Sequence, residues 1–178
     1  MSSLVMAALL IVELLVLALL VLVLVFAIFQ LLSLQVAPFV PSKAVAIEEM
    51  LDLGGVSEAS RVVDFGSGMG DICFAAAKRG ARATGVELNP MLVAMSCIIA
   101  MVRHEHRVRF VCANMFRYQA PKNTDVVLLY LLPYSVQRVW EKLVKELPSG
   151  TKVVTNAFAL PQLPCAKQNG SALLYLIP

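Results

Sequence analysis

The first 42 residues contain no lysine and no arginine, and Glu13 is their one acidic residue. That absence excludes two cleavable leaders. A secretory signal needs a basic start and a shorter apolar stretch, and a mitochondrial presequence is amphipathic and arginine-rich. Charge is scarce throughout: 15% of the 178 residues are charged, against 59% hydrophobic and a mean hydropathy of +0.78. An ordinary soluble domain is more polar than this. The excess lies at one end. Between Leu4 and Leu34 only Glu13, Gln30 and Ser33 are strongly polar, and Leu14 to Phe29 is wholly apolar. A helix over this stretch would be about 46 Å long at ~1.5 Å per residue, enough to cross a hydrocarbon core of ~30 Å. It is apolar on every face, unlike an amphipathic surface helix. Residues 1–36 are therefore expected to be a retained transmembrane anchor that places residues 4–34 in the lipid bilayer.

Cysteine and histidine are also sparse. The four cysteines, Cys73, Cys97, Cys112 and Cys165, form no CxxC pair, and are read as reduced core residues with no disulfide and no metal. His104 and His106 flank Glu105 without further ligands at useful spacing, so they are read as exposed polar side chains. All fifteen basic residues and eleven of the twelve acidic ones follow residue 42, which leaves the remainder of the chain at +4. The positive-inside rule puts that part on the cytoplasmic or matrix side. A charge so mild gives no argument for nucleic acid.

The informative stretch is Val62-Val-Asp-Phe-Gly-Ser-Gly-Met-Gly-Asp71. An apolar run ends on Asp64, Gly66, Gly68 and Gly70 follow at alternate positions, and a helical pattern begins at once. A strand, a turn that lets backbone approach a ligand, and a helix N-terminus aimed at the same place are implied. A dinucleotide fingerprint, Gly-x-Gly-x-x-Gly, would need a small residue at position 71, where Asp71 stands. The loop instead resembles the cofactor loop of seven-stranded S-adenosylmethionine-dependent methyltransferases.

Around it, strands and helices alternate. A proline-containing linker, Ala37–Pro41, and a helix over Lys43–Leu53 capped by Ser42 precede the loop. Strands are expected at Arg61–Phe65, Arg82–Leu88, Val108–Ala113, Asp125–Leu131, Thr151–Phe158 and Ala172–Ile177, with helices at Asp71–Arg79, Pro90–Arg103 and Tyr134–Leu147. This order predicts an α/β, Rossmann-like class I methyltransferase fold over residues 37–178. Its sheet is mostly parallel with helices on both faces, its C-terminal end is shortened, and its ligand crevice lies at the strands' carboxyl ends.

The candidate site residues all fall at those ends. Asp64 can accept from an ammonium group, and Gly66, Ser67, Gly68 and Gly70 form the cradle. Glu87, followed by Leu88, can accept two hydrogen bonds from ribose hydroxyls. Asn114 is either an adenine contact or the start of an Asx-turn, and Met115 can pack an adenine ring. Asp125, at the start of its strand, serves the fold. After the fourth strand, Tyr130 either packs or lines an apolar slot that holds a lysine amine neutral, and Pro133 closes that segment. The Asp/Asn-Pro-Pro-Tyr motif of enzymes that methylate planar amino nitrogens is absent here.

Residues 37–160 as a whole resemble the small membrane-anchored lysine methyltransferases of mitochondria and their prokaryotic relatives. The resemblance rests on the apolar N-terminal segment, Pro38–Ser42, Asp64–Asp71, Gly85–Pro90, Tyr130–Pro133, and Val153–Phe158 with Leu160-Pro161. Members of that family modify the adenine nucleotide translocase or the ATP synthase c-subunit. The resemblance implies S-adenosylmethionine as methyl donor and a lysine of a membrane protein as acceptor; Tyr130 and Pro133 are the catalytic candidates, and the expected location is the mitochondrial inner membrane with the domain facing the matrix. In a prokaryote the cytoplasmic face of the plasma membrane takes its place. Competing readings are a small-molecule or lipid methyltransferase and a non-catalytic scaffold of the same fold.

Overall fold

A computed structural model describes residues 3–33, 44–160 and 163–178. The Ala37–Pro41 linker and the Ser42 cap lie outside the described residues. The chain divides into two compact units, residues 1–38 and 39–178. The described residues of the first form one helix, α1 (Ser3–Ser33), whose Val5–Ile28 segment of 24 residues is long and apolar enough to cross a membrane. No side chain in that segment is buried.

The second unit is a seven-stranded sheet of order β3-β2-β1-β4-β5-β7-β6. Its strands are β1 (Arg61–Phe65), β2 (Arg82–Glu87), β3 (Val108–Cys112), β4 (Val126–Leu129), β5 (Lys152–Asn156), β6 (Lys167–Asn169) and β7 (Ala172–Leu176). The first five run parallel, and β7 is antiparallel to both β5 and β6. β1 lies between β2 and β4, so the strand order reverses beside it. In open α/β sheets such a switch point opens the ligand crevice.

β1 and β4 are central, and β4 is Val-Val-Leu-Leu with all four side chains buried; a strand covered on both faces needs such an unbroken apolar run. α2 (Ala44–Gly54) and α3 (Asp71–Lys78) cover one face through a core that includes Met50, Leu51, Ile72, Cys73, Val62, Leu128 and Val154. Arg79, at the C-cap of α3, pairs with Glu48 and, at 2.7 Å, with Asp52 of α2. α4 (Pro90–Val102) follows β2, and Arg103 at its end stacks on Phe74 of α3. α5 (Pro133–Glu146) covers the other face. The expected stripe holds: Val136, Val139, Trp140, Leu143 and Leu147 are buried, with Val144 half-buried.

The strand and helix order matches the sequence reading, with ends displaced by at most two residues. β4 stops at Leu129, leaving Tyr130 and Leu131 beyond the strand, because hydrogen bonding to β5 ends at the Leu129–Thr155 pair. Asp125 serves the fold as expected, accepting from the backbone N–H of Arg61 at 2.8 Å. The short β6 was not anticipated, since the three exposed polar residues Lys167-Gln-Asn169 carry no apolar alternation; paired with β7 it brings the sheet to seven strands, which corrects the expected shortening at the C-terminal end. A second expectation is corrected. Only Cys73 is a core residue; Cys97, Cys112 and Cys165 are exposed thiols. Cys97 sits on the outer side of α4 and Cys112 ends β3, the uncovered edge strand.

The C-terminal hairpin is tied to the segment after β5 by one buried contact. The Tyr175 hydroxyl accepts from the backbone N–H of Leu160 at 3.0 Å, and Trp140 of α5 packs edge-on against the Tyr175 ring. Replacing Tyr175 by Phe orphans a buried N–H. The expected loss is about 1–3 kcal/mol, read as a lower urea midpoint at unchanged slope.

Candidate functional site

The carboxyl end of β1 turns through left-handed backbone at Gly66 (φ 79°) and Gly70 (φ 87°). Side chains are excluded on two counts. A Cβ at Gly66 would lie 2.6 Å from Leu131 Cδ2, and one at Gly70 would lie 2.5 Å from Phe110 Cζ; both conformations also disfavour L-residues. Gly70 is the N-cap of α3, so the free N–H groups of that helix begin where the loop ends.

Glu87 faces this loop. Its Oε2 accepts the Gly68 N–H at 3.1 Å and its Oε1 accepts the Asn89 N–H at 2.8 Å. Its main-chain carbonyl accepts from Ala113, just past β3, at 2.9 Å. One residue thus connects β2, the glycine loop, the approach to α4 and the end of β3. Each carboxylate oxygen keeps a further lone pair, so ribose hydroxyls can still be accepted. α4 is placed by Asn89, whose Oδ1 caps it through the Met91 N–H at 2.9 Å, with Pro90 in the first turn. From inside α4, the buried Ser96 hydroxyl donates to the Gly68 carbonyl at 3.2 Å, shared with Leu92 at 2.9 Å.

Asp64 is buried beneath the loop. Its Oδ2 accepts weakly from the Cys73 thiol at 3.7 Å. Its Oδ1 and the Ser67 hydroxyl are buried without a hydrogen-bond partner among the described residues. Burial pushes the Asp64 pKa up from 3.8 to about 7; the Cys73 thiol opposes the shift, while the charges of Glu87 and Asp71 add to it. The orphaned Oδ1, Ser67 Oγ, the glycine cradle and Glu87 fit a ligand that brings an ammonium group and a ribose.

Asn114 and Met115 follow β3. Asn114 Oδ1 accepts the Phe116 N–H at 2.9 Å, which makes it an Asx-turn, and Met115 is buried. Leu88 is half-buried after β2. Tyr130 is half-buried, its ring packed on the core beneath α2 and α3. Pro133 is exposed and opens α5. Arg138 of α5 stacks on Phe116, 4.0 Å from the ring centroid, linking this helix to the turn after β3. His104 and His106 are exposed. Two grooves, lined by Gly55, Lys122, Asp125 and Lys152 and by Arg82, His106, Arg107 and Arg109, open at the amino ends of the strands, away from this site.

Several supports escaped the sequence reading. Cys73 and Ser96 lie inside apolar helices without a motif. Gly85 was legible only within its strand and the Gly85–Pro90 stretch, with no packing role of its own, yet a Cβ there would lie 2.6 Å from Ser67 Oγ and 2.7 Å from Phe110. The Asn89 cap did carry a signal, since Asn-Pro before an apolar run marks a helix start.

Comparison with known proteins identifies the family and the fold. The profile of the family described as the ANTKMT methyltransferase domain matches residues 64–167. The chain is 33% identical over 125 residues to the ATP synthase c-subunit lysine N-methyltransferase of Xenopus laevis, covering 70% of this chain and 54% of that protein. It is 35% identical over 138 residues to the adenine nucleotide translocase lysine N-methyltransferase of Mus musculus, covering 73% and 56%. The chain thus spans about half the length of these curated relatives. A crystal structure of an RNA methyltransferase from Salinibacter ruber in complex with S-adenosyl-L-homocysteine superposes with a TM-score of 0.75 at 30% identity, covering 78% of this chain and 94% of that one. The fold and cofactor class are those of S-adenosylmethionine-dependent methyltransferases.

The Asp64 shift has a signed consequence. Between pH 3.8 and about 7 the folded chain holds a proton that the unfolded chain has lost. The stability this proton confers is complete below pH 3.8 and is gone once pH passes about 7. A bound ammonium favours the ionised form, so binding releases that proton. Calorimetric titration of the detergent-solubilised chain should find S-adenosylmethionine affinity rising with pH, by up to about tenfold per unit, and levelling above about pH 7. Asp64→Asn should flatten that slope and weaken binding at pH 8.

Proposed function

The chain belongs to the ANTKMT methyltransferase family, and on that premise we propose that it is an S-adenosylmethionine-dependent protein-lysine N-methyltransferase whose substrate is a membrane protein. One observation carries the reading: the Glu87 carboxylate is held against the glycine loop by the Gly68 and Asn89 N–H groups, beside the unpartnered Asp64 Oδ1. When bound, S-adenosylmethionine supplies a methyl group on an electrophilic sulfonium. Glu87 grips the ribose and Asp64 accepts from the ammonium group. Gly66, Ser67, Gly68 and Gly70 give backbone approach, and Leu88 and Met115 pack the adenine. Asn114 Oδ1 is engaged in its turn, so its amide contributes through the remaining donors and lone pair. Tyr130 presents a ring and an uncharged hydroxyl at the exit of β4, and Pro133 fixes the start of α5 behind it. A lysine amine must be neutral to attack carbon, and an apolar aromatic wall disfavours its ammonium form.

The substrate class rests on the relatives' names, and α1 supports it as an anchor. A tether raises the local concentration of any bilayer-embedded acceptor. The topology that follows is single-pass, with residues 37–178 on the matrix side of the mitochondrial inner membrane or on a cytoplasmic face. The name of the Salinibacter ruber structure favours RNA as a second reading. Against it, the segment after β4 is Leu131-Leu132-Pro133-Tyr134, not the motif that grips a planar amino nitrogen.

The test is methyl transfer by the full chain in nanodiscs, with membrane proteins, lipids and RNA offered separately. Methyllysine found by mass spectrometry on a membrane protein is expected; label on lipid or RNA alone overturns the reading. Glu87→Ala should weaken S-adenosylmethionine binding about 10- to 100-fold, the worth of losing charged hydrogen bonds, with far-UV circular dichroism retained. Tyr130→Ala should lower turnover at saturating cofactor while leaving cofactor affinity within twofold (~0.4 kcal/mol), and Tyr130→Phe should restore most of it.

A further inference from the structure

α4 has an outer side that nothing among the described residues of its own unit covers. The helix reads Pro-Met-Leu-Val-Ala-Met-Ser-Cys-Ile-Ile-Ala-Met-Val, with no charged residue, and only Leu92 and Ser96 are buried. Met91, Met95, Ile98, Met101 and Val102 are all exposed, Met101 and Val102 by 71% and 74%. A helix apolar all round is normally enclosed. Exposed large apolar surface of this extent marks an interaction site. Its stripe runs about 20 Å at ~1.5 Å per residue, from the Asn89 cap beside Glu87 to Arg103.

The far end of that stripe is basic. Arg103 and His104 follow the helix, and His106, Arg107 and Arg109 join Arg82 around a groove of about 510 Å³. None of these arginines forms an ion pair among the described residues, and the neighbouring Glu105 carboxylate is occupied by the Arg107 backbone N–H at 2.9 Å. An apolar helix face bordered by unpaired cations is complementary to a bilayer surface of anionic phospholipid, with acyl chains against the helix and phosphates against the arginines.

We propose that the outer face of α4 and the Arg82–His106–Arg107–Arg109 groove form a docking surface for an anionic lipid bilayer. The inference rests on the reading of α1 as a membrane anchor. The docked surface reaches from the groove to the helix end that carries the cofactor-site residues, so it presents that crevice at the lipid surface.

The native Cys97, exposed on this face, reports on it. The full chain carrying Cys112→Ser and Cys165→Ser is labelled with an environment-sensitive fluorophore and placed in nanodiscs of phosphatidylcholine alone or with phosphatidylserine. Expected are a blue-shifted emission and strong quenching by nitroxide-bearing lipid in the anionic discs. Both should be lost in Arg82→Glu/Arg107→Glu/Arg109→Glu and in Ile98→Asp/Met101→Asp. A label on Cys165 in the converse variant, across the sheet, should stay open to aqueous iodide. Retention of the chain in the discs with a Cys97 label open to iodide overturns the docking alone. Shielding that needs a second copy per disc, or an added membrane protein, assigns the face to that partner and also overturns it. Discs that fail to retain the chain after a high-salt wash overturn the anchor and the docking together.

Discussion

The site depends on one carboxylate. Glu87 ends β2, and its two oxygens hold the N–H groups of Gly68 and Asn89. A second link between the glycine loop and α4 is the Ser96 hydroxyl, which donates to the Gly68 carbonyl. Because charge-assisted hydrogen bonds are about twice as strong as neutral ones, Glu87 sets the loop's position as well as offering acceptors to a ligand. The same negative charge reaches Asp64 and adds to the burial that lifts its pKa toward 7. Two carboxylates therefore face one small space, with Asp71 contributing at the start of α3. A ligand bearing positive charge relieves that crowding; an anionic ligand such as a dinucleotide pyrophosphate would aggravate it.

α4 divides its residues between two tasks. Leu92 and Ser96 face inward, and the Ser96 hydroxyl reaches the Gly68 carbonyl. The opposite side carries methionine and isoleucine into the surroundings. Neither side contains a charge. Position along this helix is therefore fixed by its caps, Asn89 at one end and Arg103 over Phe74 at the other, rather than by amphipathicity.

Much of this architecture was readable in the chain. Asp64, the three alternate glycines and Glu87 stand at strand ends because sequence order alone gives the β-α alternation, and the crossover rule then dictates where the crevice opens. What stayed hidden was of three kinds. Buried polar partners such as Cys73 and Ser96 sit inside apolar runs, and a sequence gives no account of which helical residue points under which loop. Burial of cysteine was overestimated because composition ranks cysteine among core residues, whereas Cys97 and Cys112 fall on an uncovered helix face and an edge strand. β6 failed for a third reason: three polar residues become a strand only because β7 supplies their hydrogen bonds. Asn114 shows that a weighed alternative can be the structural one, since its turn is made.

Charge is distributed unequally across the crevice. Asp64 and Glu87 lie at the ends of β1 and β2, and the exit of β4, Tyr130-Leu-Leu-Pro133, carries no charged side chain. The two sides thus favour opposite protonation states. Carboxylates stabilise a cation on the β1–β2 side, while an apolar wall with one hydroxyl destabilises an ammonium on the β4 side. Transfer of a methyl group from a sulfonium to an amine needs that arrangement, because the donor must arrive charged and the acceptor must not. On the proposed reading, a carboxylate at position 130 would hold an acceptor lysine as a bound cation, and affinity would rise at the expense of turnover.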